Sequence, residues 1–229
     1  MSAIFEYKGM LLEGAVVTVL LAVISLLLSI VFGLIGAALK FSSAKGLNKV
    51  GGAYTTFVRG VPDLVLMMLL FYGGQQLLND FGVWTGLWGY IEISQFLAGV
   101  LTLGFIFGAY MAETFRGAIL SIPKGQIEAA LSVGMTPWMV FSRVTWHQMV
   151  RYALPGFTNN WLVLIKSTAL VSVIGLHDLV WNAFSAGRAV KQMFTFMLVV
   201  MVIYLIITAI SDVGLRWLER KYSAGVRRV

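Results

Sequence analysis

The sequence predicts an all-α integral membrane protein of about five spanning helices, and three observations predict it. Of its 229 residues, 59% are hydrophobic and only 12% are charged, where a soluble domain carries about 25% charged residues. Uncharged runs recur at roughly the 20 residues that a helix needs to cross the hydrocarbon core. The basic residues gather in alternate connections, as they do when those connections face the cytoplasm.

The elements follow in order. Ala15–Leu39 is apolar throughout and far longer than a signal-peptide core of roughly 7–15 residues, so it reads as a retained first span. Leu64–Asn79 is short for a second span unless its helix starts upstream, around 50–58, and passes Arg59, Pro62 and Asp63. Ile93–Ala112 is a third span, Tyr152–Leu176 a fourth interrupted only by Lys166, and Gln192–Ser211 a fifth. The segment 177–191 is too polar to cross and is expected along the outer surface. Nothing divides the chain, so residues 1–229 read as one membrane domain.

Orientation comes from lysine and arginine. Thirteen of the seventeen lie in the connections 40–59 and 116–151 and in the tail from Arg216 to Arg228. Those segments are therefore expected in the cytoplasm, with the N-terminus outside. This placement also accounts for the net charge of +7 without a nucleic-acid partner. The tail cations, Arg220, Lys221, Arg227 and Arg228, suit anionic lipid headgroups.

Chemistry is sparse. Cysteine is absent and the two histidines, His147 and His177, are thirty residues apart. A thiolate site, a metal site and a hydrolytic constellation are not expected. No GxxxxGK[ST] phosphate loop occurs, so the chain is expected to hold no cofactor and to be no enzyme. Any ATP is expected to be bound by a partner.

The cytoplasmic loop at about 117–151 holds the most informative stretch, KGQIEAALSVGMTPW. Gln126–Val133 favours a helix and Gly134 suits a left-handed C-terminal cap. Thr136 and Pro137 start a second helix. A helix of about 12 Å is too short to be stable alone and must dock on something. Glu128 lies near its N-terminal end, and Ala129 and Ala130 leave a face flat enough for close approach.

Ionisable groups near the membrane are costly and default to functional candidates. Asp63, Glu113, Arg116 and Lys166 are such groups. Asp63 and Glu113 are candidates for a substrate pathway, as are the deeper polar residues Gln75, Asn159 and Asn160. Arg116 and Lys166 read as intramembrane structural charges, with Glu113 or Asp63 as partners. Gly104 and Gly108 allow close helix approach, more plausibly in internal packing than between chains.

Glu-Ala-Ala followed three residues later by Gly, before the penultimate span, resembles the EAA loop of ABC-importer permeases. RGVPDLVLMMLLFYGG (59–74), LGFIFGAYMAETFRGAI (103–119), ALPGFTNNWLVLIKSTALVSVIGL (153–176) and LERKYSAGVRR (218–228) extend the likeness to nearly the whole chain. They are similar to the polar amino-acid uptake permeases, and most to the Q-type permeases of histidine and lysine/arginine/ornithine importers. The resemblance implies amino-acid import across a bacterial inner membrane, with basic amino acids as cargo, by alternating access. It implies two ABC ATPase subunits, a second homologous permease chain in a heterodimer, and a periplasmic binding protein. It implies that the short helix, with Gly125, Glu128, Ala129, Ala130 and Gly134, sits in an ATPase cleft. Where the family pattern carries a proline, this chain has His147, which puts a kink there in doubt. The competing reading is a self-contained channel or secondary carrier for small polar solutes, which would need no cytoplasmic partner.

Overall fold

The computed structural model describes residues 2–223, so Arg227 and Arg228 lie outside the described residues. A helical turn, Ser2–Glu6, leads into α1 (Lys8–Phe41). There follow α2 (Lys45–Gly60), α3 (Asp63–Thr85), α4 (Gln95–Leu120) and the short α5 (Lys124–Ser132). The chain closes with α6 (Pro137–Ile174), α7 (Leu179–Ala189) and α8 (Met193–Ser223). α3 and α6 each contain one π turn, at Leu69–Gly73 and Phe141–Thr145, and α6 ends in a 3-10 segment from Thr168. Among the described residues, α1, α4, α6 and α8 are long and apolar enough to cross a membrane, and α2 with α3 makes a fifth, bent candidate.

The bend falls within the region where the second span is expected to start. Val61 precedes Pro62 and is pushed out of helical geometry (φ −116°, ψ 139°), because a proline ring crowds the residue before it. The helix axis turns by 110° there. From Asp63 to Thr85, α3 has 23 residues, about 34 Å of helix, long enough to reach across, but only together with α2 does it count as apolar enough to be a span. α2 lies on the other side of the bend. It is amphipathic, burying Gly51, Thr55 and Val58 and exposing Lys45, Lys49 and Arg59, the pattern of a helix lying at an interface.

The core is built on α4, whose packing decides the rest. A Cβ at Gly104 would stand 2.6 Å from Leu28, and one at Gly108 would stand 2.5 Å from Phe32. The pair is thus an internal seam with α1, where small residues let two helices approach closely. Leu103, Ile106 and Phe107 of α4 are buried with Leu164 and Ile165 of α6 and with Leu66 and Met67 of α3. Tyr54 straps α2 across this layer, its hydroxyl donating to the Phe105 carbonyl at 2.6 Å.

The polar segment 177–191 does not lie free on the surface. Its helix α7 is clamped between α1 and α8, with Leu179, Ala183 and Ala186 buried against Leu11, Phe196 and Val200. Gly14 makes this possible, since a Cβ there would lie 2.8 Å from the Asp178 carbonyl oxygen.

Candidate functional site

The structure offers two functional regions: the exposed loop around α5, and the polar residues on α3, α4 and α6. α5 starts two residues earlier than its sequence suggests and ends one earlier. Its end is a Schellman cap: Met135 N–H donates to Ala130 O and Gly134 N–H to Leu131 O, at 3.2 and 3.0 Å. Gly134 is left-handed at φ +83°. Thr136 then caps the next helix by accepting from Met139 N–H, and Pro137 occupies its first position. Local chemistry alone set this geometry.

α5 is two-faced. Ala130 is buried and Ile127 packs against the cluster of Phe115, Ile122 and Met149. The opposite side leaves Lys124, Gly125, Glu128, Ala129 and Leu131 exposed. Gln148 of α6 hydrogen-bonds Gln126 and ties the helix down. Of the five residues singled out on the loop, Gly125, Glu128, Ala129 and Gly134 are therefore presented outward, while Ala130 faces its own chain. Just beyond, Val133 and Trp138 add apolar surface to this face, at 75% and 72% exposure.

The structure separates the five candidate pathway residues. Glu113 forms an ion pair with Lys40 of α1 and a longer one, 3.9 Å, with Arg116. Lys40 also donates to the Thr55 hydroxyl of α2 at 2.8 Å, so one carboxylate ties three helices together. Arg116 thus reaches Glu113 only at the longer distance, and the main partner of Glu113 is Lys40. Gln75 accepts from Ile93 N–H at 2.7 Å and bonds the Ile91 carbonyl. With Asn79 it fastens the 86–94 connection rather than facing an opening. Asp63 opens α3 half-buried near Tyr110, over whose ring the Arg59 guanidinium lies at 5.8 Å.

Asn159 and Asn160 point opposite ways. Asn160 is buried and donates to Thr114 Oγ1 of α4 at 3.0 Å, an interhelical link. Asn159 is exposed on a stripe with Tyr152, Pro155, Val163 and Lys166. Lys166 has no ion-pair partner among the described residues, so its expected pairing with Glu113 or Asp63 does not form. Its neighbour Ile165 packs with Ile106 and Phe107, half-way along α4. Lys166 lies exposed near the middle of the apolar run Tyr152–Leu176.

Sequence reasoning missed two residues. Lys40 was legible only as one of several cations, because its carboxylate lies 73 residues away. Asp178 is fully buried; its Oδ1 caps α7 by accepting from Trp181 N–H at 2.8 Å, and its Oδ2 has no partner. An aspartate before a helical run was the available signal for the cap. His147 lies exposed in regular helix. The irregularities of α6 fall on either side, at the π turn before it and at Pro155, an interior proline that removes one backbone hydrogen bond.

Residues 29–224 match the model of the family described as "binding-protein-dependent transport system inner membrane component". The chain is 49% identical over 225 residues to the histidine/lysine/arginine/ornithine transport system permease protein HisQ of Escherichia coli (strain K12), covering 98% of each. It is 42% identical to the nopaline transport system permease protein NocQ of Agrobacterium fabrum (strain C58 / ATCC 33970), covering 95% of this chain and 92% of that one. The fold is similar to a crystal structure of an amino acid ABC transporter solved with histidines. That match has a TM-score of 0.83 and 32% identity, and covers 95% of this chain and 96% of the other.

Proposed function

The chain belongs to the inner-membrane components of binding-protein-dependent transport systems and is a permease subunit of an amino-acid ABC importer; from that premise we propose that it carries basic amino acids and is driven through α5. The named cargo of its relative HisQ supports the first part. α5 supports the second, and it is the observation that carries the proposal. A helix of nine residues holds itself rigidly with Ile127 and Ala130 while turning Glu128 and Ala129 outward. The sequence has no phosphate loop, so the energy must enter from another subunit, and α5 is an exposed, shaped place for it.

In this reading two ATPase subunits hold two permease chains by their α5 helices, with the lysine- and arginine-rich end in the cytoplasm. The second chain is a homologue rather than a copy, and a periplasmic binding protein delivers the cargo. ATP-driven closure of the ATPases moves α5, and the packed helices shift between outward and inward openings. This is a population shift between two packings, each favoured by a different partner state. The permease holds no cofactor and performs no covalent chemistry.

The exposed stripe of α6 is the pathway wall in this reading. A lysine near the middle of an apolar run does not face lipid, so Lys166 lines either an aqueous pathway or the second chain. An ammonium recognises the α-carboxylate that every amino acid carries, and Asn159 one turn away offers both a donor and an acceptor. Asn160, Gln75 and Glu113 hold helices and loops in register around that wall. A channel or a self-contained carrier would leave α5 and its exposed acid without a role.

Co-isolation tests the coupling claim. Purification in mild detergent is expected to recover an ATPase with the wild-type chain and to lose it with Glu128→Arg. A folded Glu128→Arg protein that keeps its ATPase would overturn the assignment of α5.

A further inference from the structure

Two adjoining apolar cavities, of about 240 and 450 Å³, lie between α1, α4 and α6, sharing Leu34, Phe115, Trp146 and Met149. Half-exposed Phe41, Phe141 and Trp146 stand at the mouth, at 44%, 40% and 39% exposure. Such a lining gives water nothing to bond, and it lies toward the lysine- and arginine-rich end of the bundle.

A basic stripe runs beside it. His147 and Arg151, four apart in regular helix, share a face, and Arg143 in the π turn stands one turn before them. That face adjoins Trp146 and Val150 of the cavity wall. Arg143 and His147 are exposed and Arg151 is half-exposed. Neither arginine has a carboxylate partner among the described residues: Glu113, Asp212 and Glu219 of this end serve Lys40, Arg116, Arg216 and Thr158, and the exposed Glu128 of α5 pairs with neither. Unneutralised cations above a dry groove are complementary to one kind of molecule, an anion with a long apolar tail.

We infer that this groove binds an anionic phospholipid, its acyl chain between α1 and α6 and its phosphate on Arg143, His147 and Arg151. The site gives a physical use to His147. An imidazole there adds a donor to the phosphate that a proline could not supply, and it completes the stripe between the two arginines. The lipid would brace the start of α6 just beyond α5, so its occupancy bears on how firmly α5 is held.

The test uses the membrane complex with its partner subunits, in nanodiscs of equal phosphatidylglycerol and phosphatidylcholine, one of the two carrying a diazirine in its acyl chain. After irradiation, peptides bearing Trp146, Met149 or Phe157 are expected to carry phosphatidylglycerol roughly thirtyfold over phosphatidylcholine, from two cations near an anionic headgroup. Arg143→Gln with Arg151→Gln should bring the two lipids close to parity. Equal labelling in the wild type overturns the inference without recourse to any variant. A double variant that keeps the preference overturns it as well. If that variant keeps the preference but sheds the ATPase, the stripe is a protein contact instead.

Discussion

Asp178 shows how much one buried side chain decides. Burial raises its carboxyl from the ordinary carboxylate range to about 6, whereas in the unfolded chain it ionises near pH 4. The folded state thus holds the proton more tightly. The stability this residue contributes is complete below about pH 4 and is lost as pH rises through about 6. Asp178→Asn keeps an oxygen to cap α7 and removes the ionisation. The variant is expected to be more stable than the wild type at pH 7 by about 3 kcal/mol, with the gap closing toward pH 4. Thermal unfolding in detergent across that range checks it, and parallel curves would refute it. None of this was legible in the sequence beyond the capping pattern. The burial depends on Gly14, 164 positions earlier, which lets α1 touch the backbone at Asp178. By contrast the left-handed Gly134 and the Thr136 cap could be read directly, because their chemistry is complete within a few residues.

Among elements, the second and sixth helices differed most from their apolar patterns. Hydropathy showed a span too short, and the structure shows a helix pair bent by 110° at Pro62, with the preceding helix packed on α1 and α4. On α6 the pattern gave a long span with a lysine in it, but not which neighbour of that lysine shares its face. The structure puts Asn159 and Lys166 on the exposed stripe and turns Asn160 inward to Thr114. Lys166→Met is therefore expected to lower uptake by roughly tenfold to a hundredfold, the loss of one charge-assisted contact. The ATPase should still co-isolate, since α5 is untouched. Unchanged uptake would place Lys166 outside the pathway. A loss of the whole complex would make it a subunit contact instead.

For the whole molecule, charge and hydropathy were enough to give an all-α membrane protein of about five spans, where the structure offers four or five, because lipid leaves few alternatives for backbone polar groups. Which helices touch was out of reach, since glycine spacing marks a close approach without naming its partner. The cargo is a property of the assembled importer. Reconstituted with its partners, it is expected to take up labelled arginine or histidine, with unlabelled lysine and ornithine competing strongly and leucine or glutamate weakly. Equal competition by leucine would remove the basic-cargo assignment and leave the importer standing.

The seam between α1 and α4 bears on how such a protein is made. Gly104 against Leu28, Gly108 against Phe32 and Glu113 against Lys40 all join segments that precede Leu120. A ribosome that has delivered the chain to that point has already supplied both sides of the tightest helix contact and both members of the charge pair. α3, which arrives between them in time, is left at the side of the pairing. The later half of the chain, with the coupling helix and the lysine-bearing wall, is laid onto a body whose parts are all present.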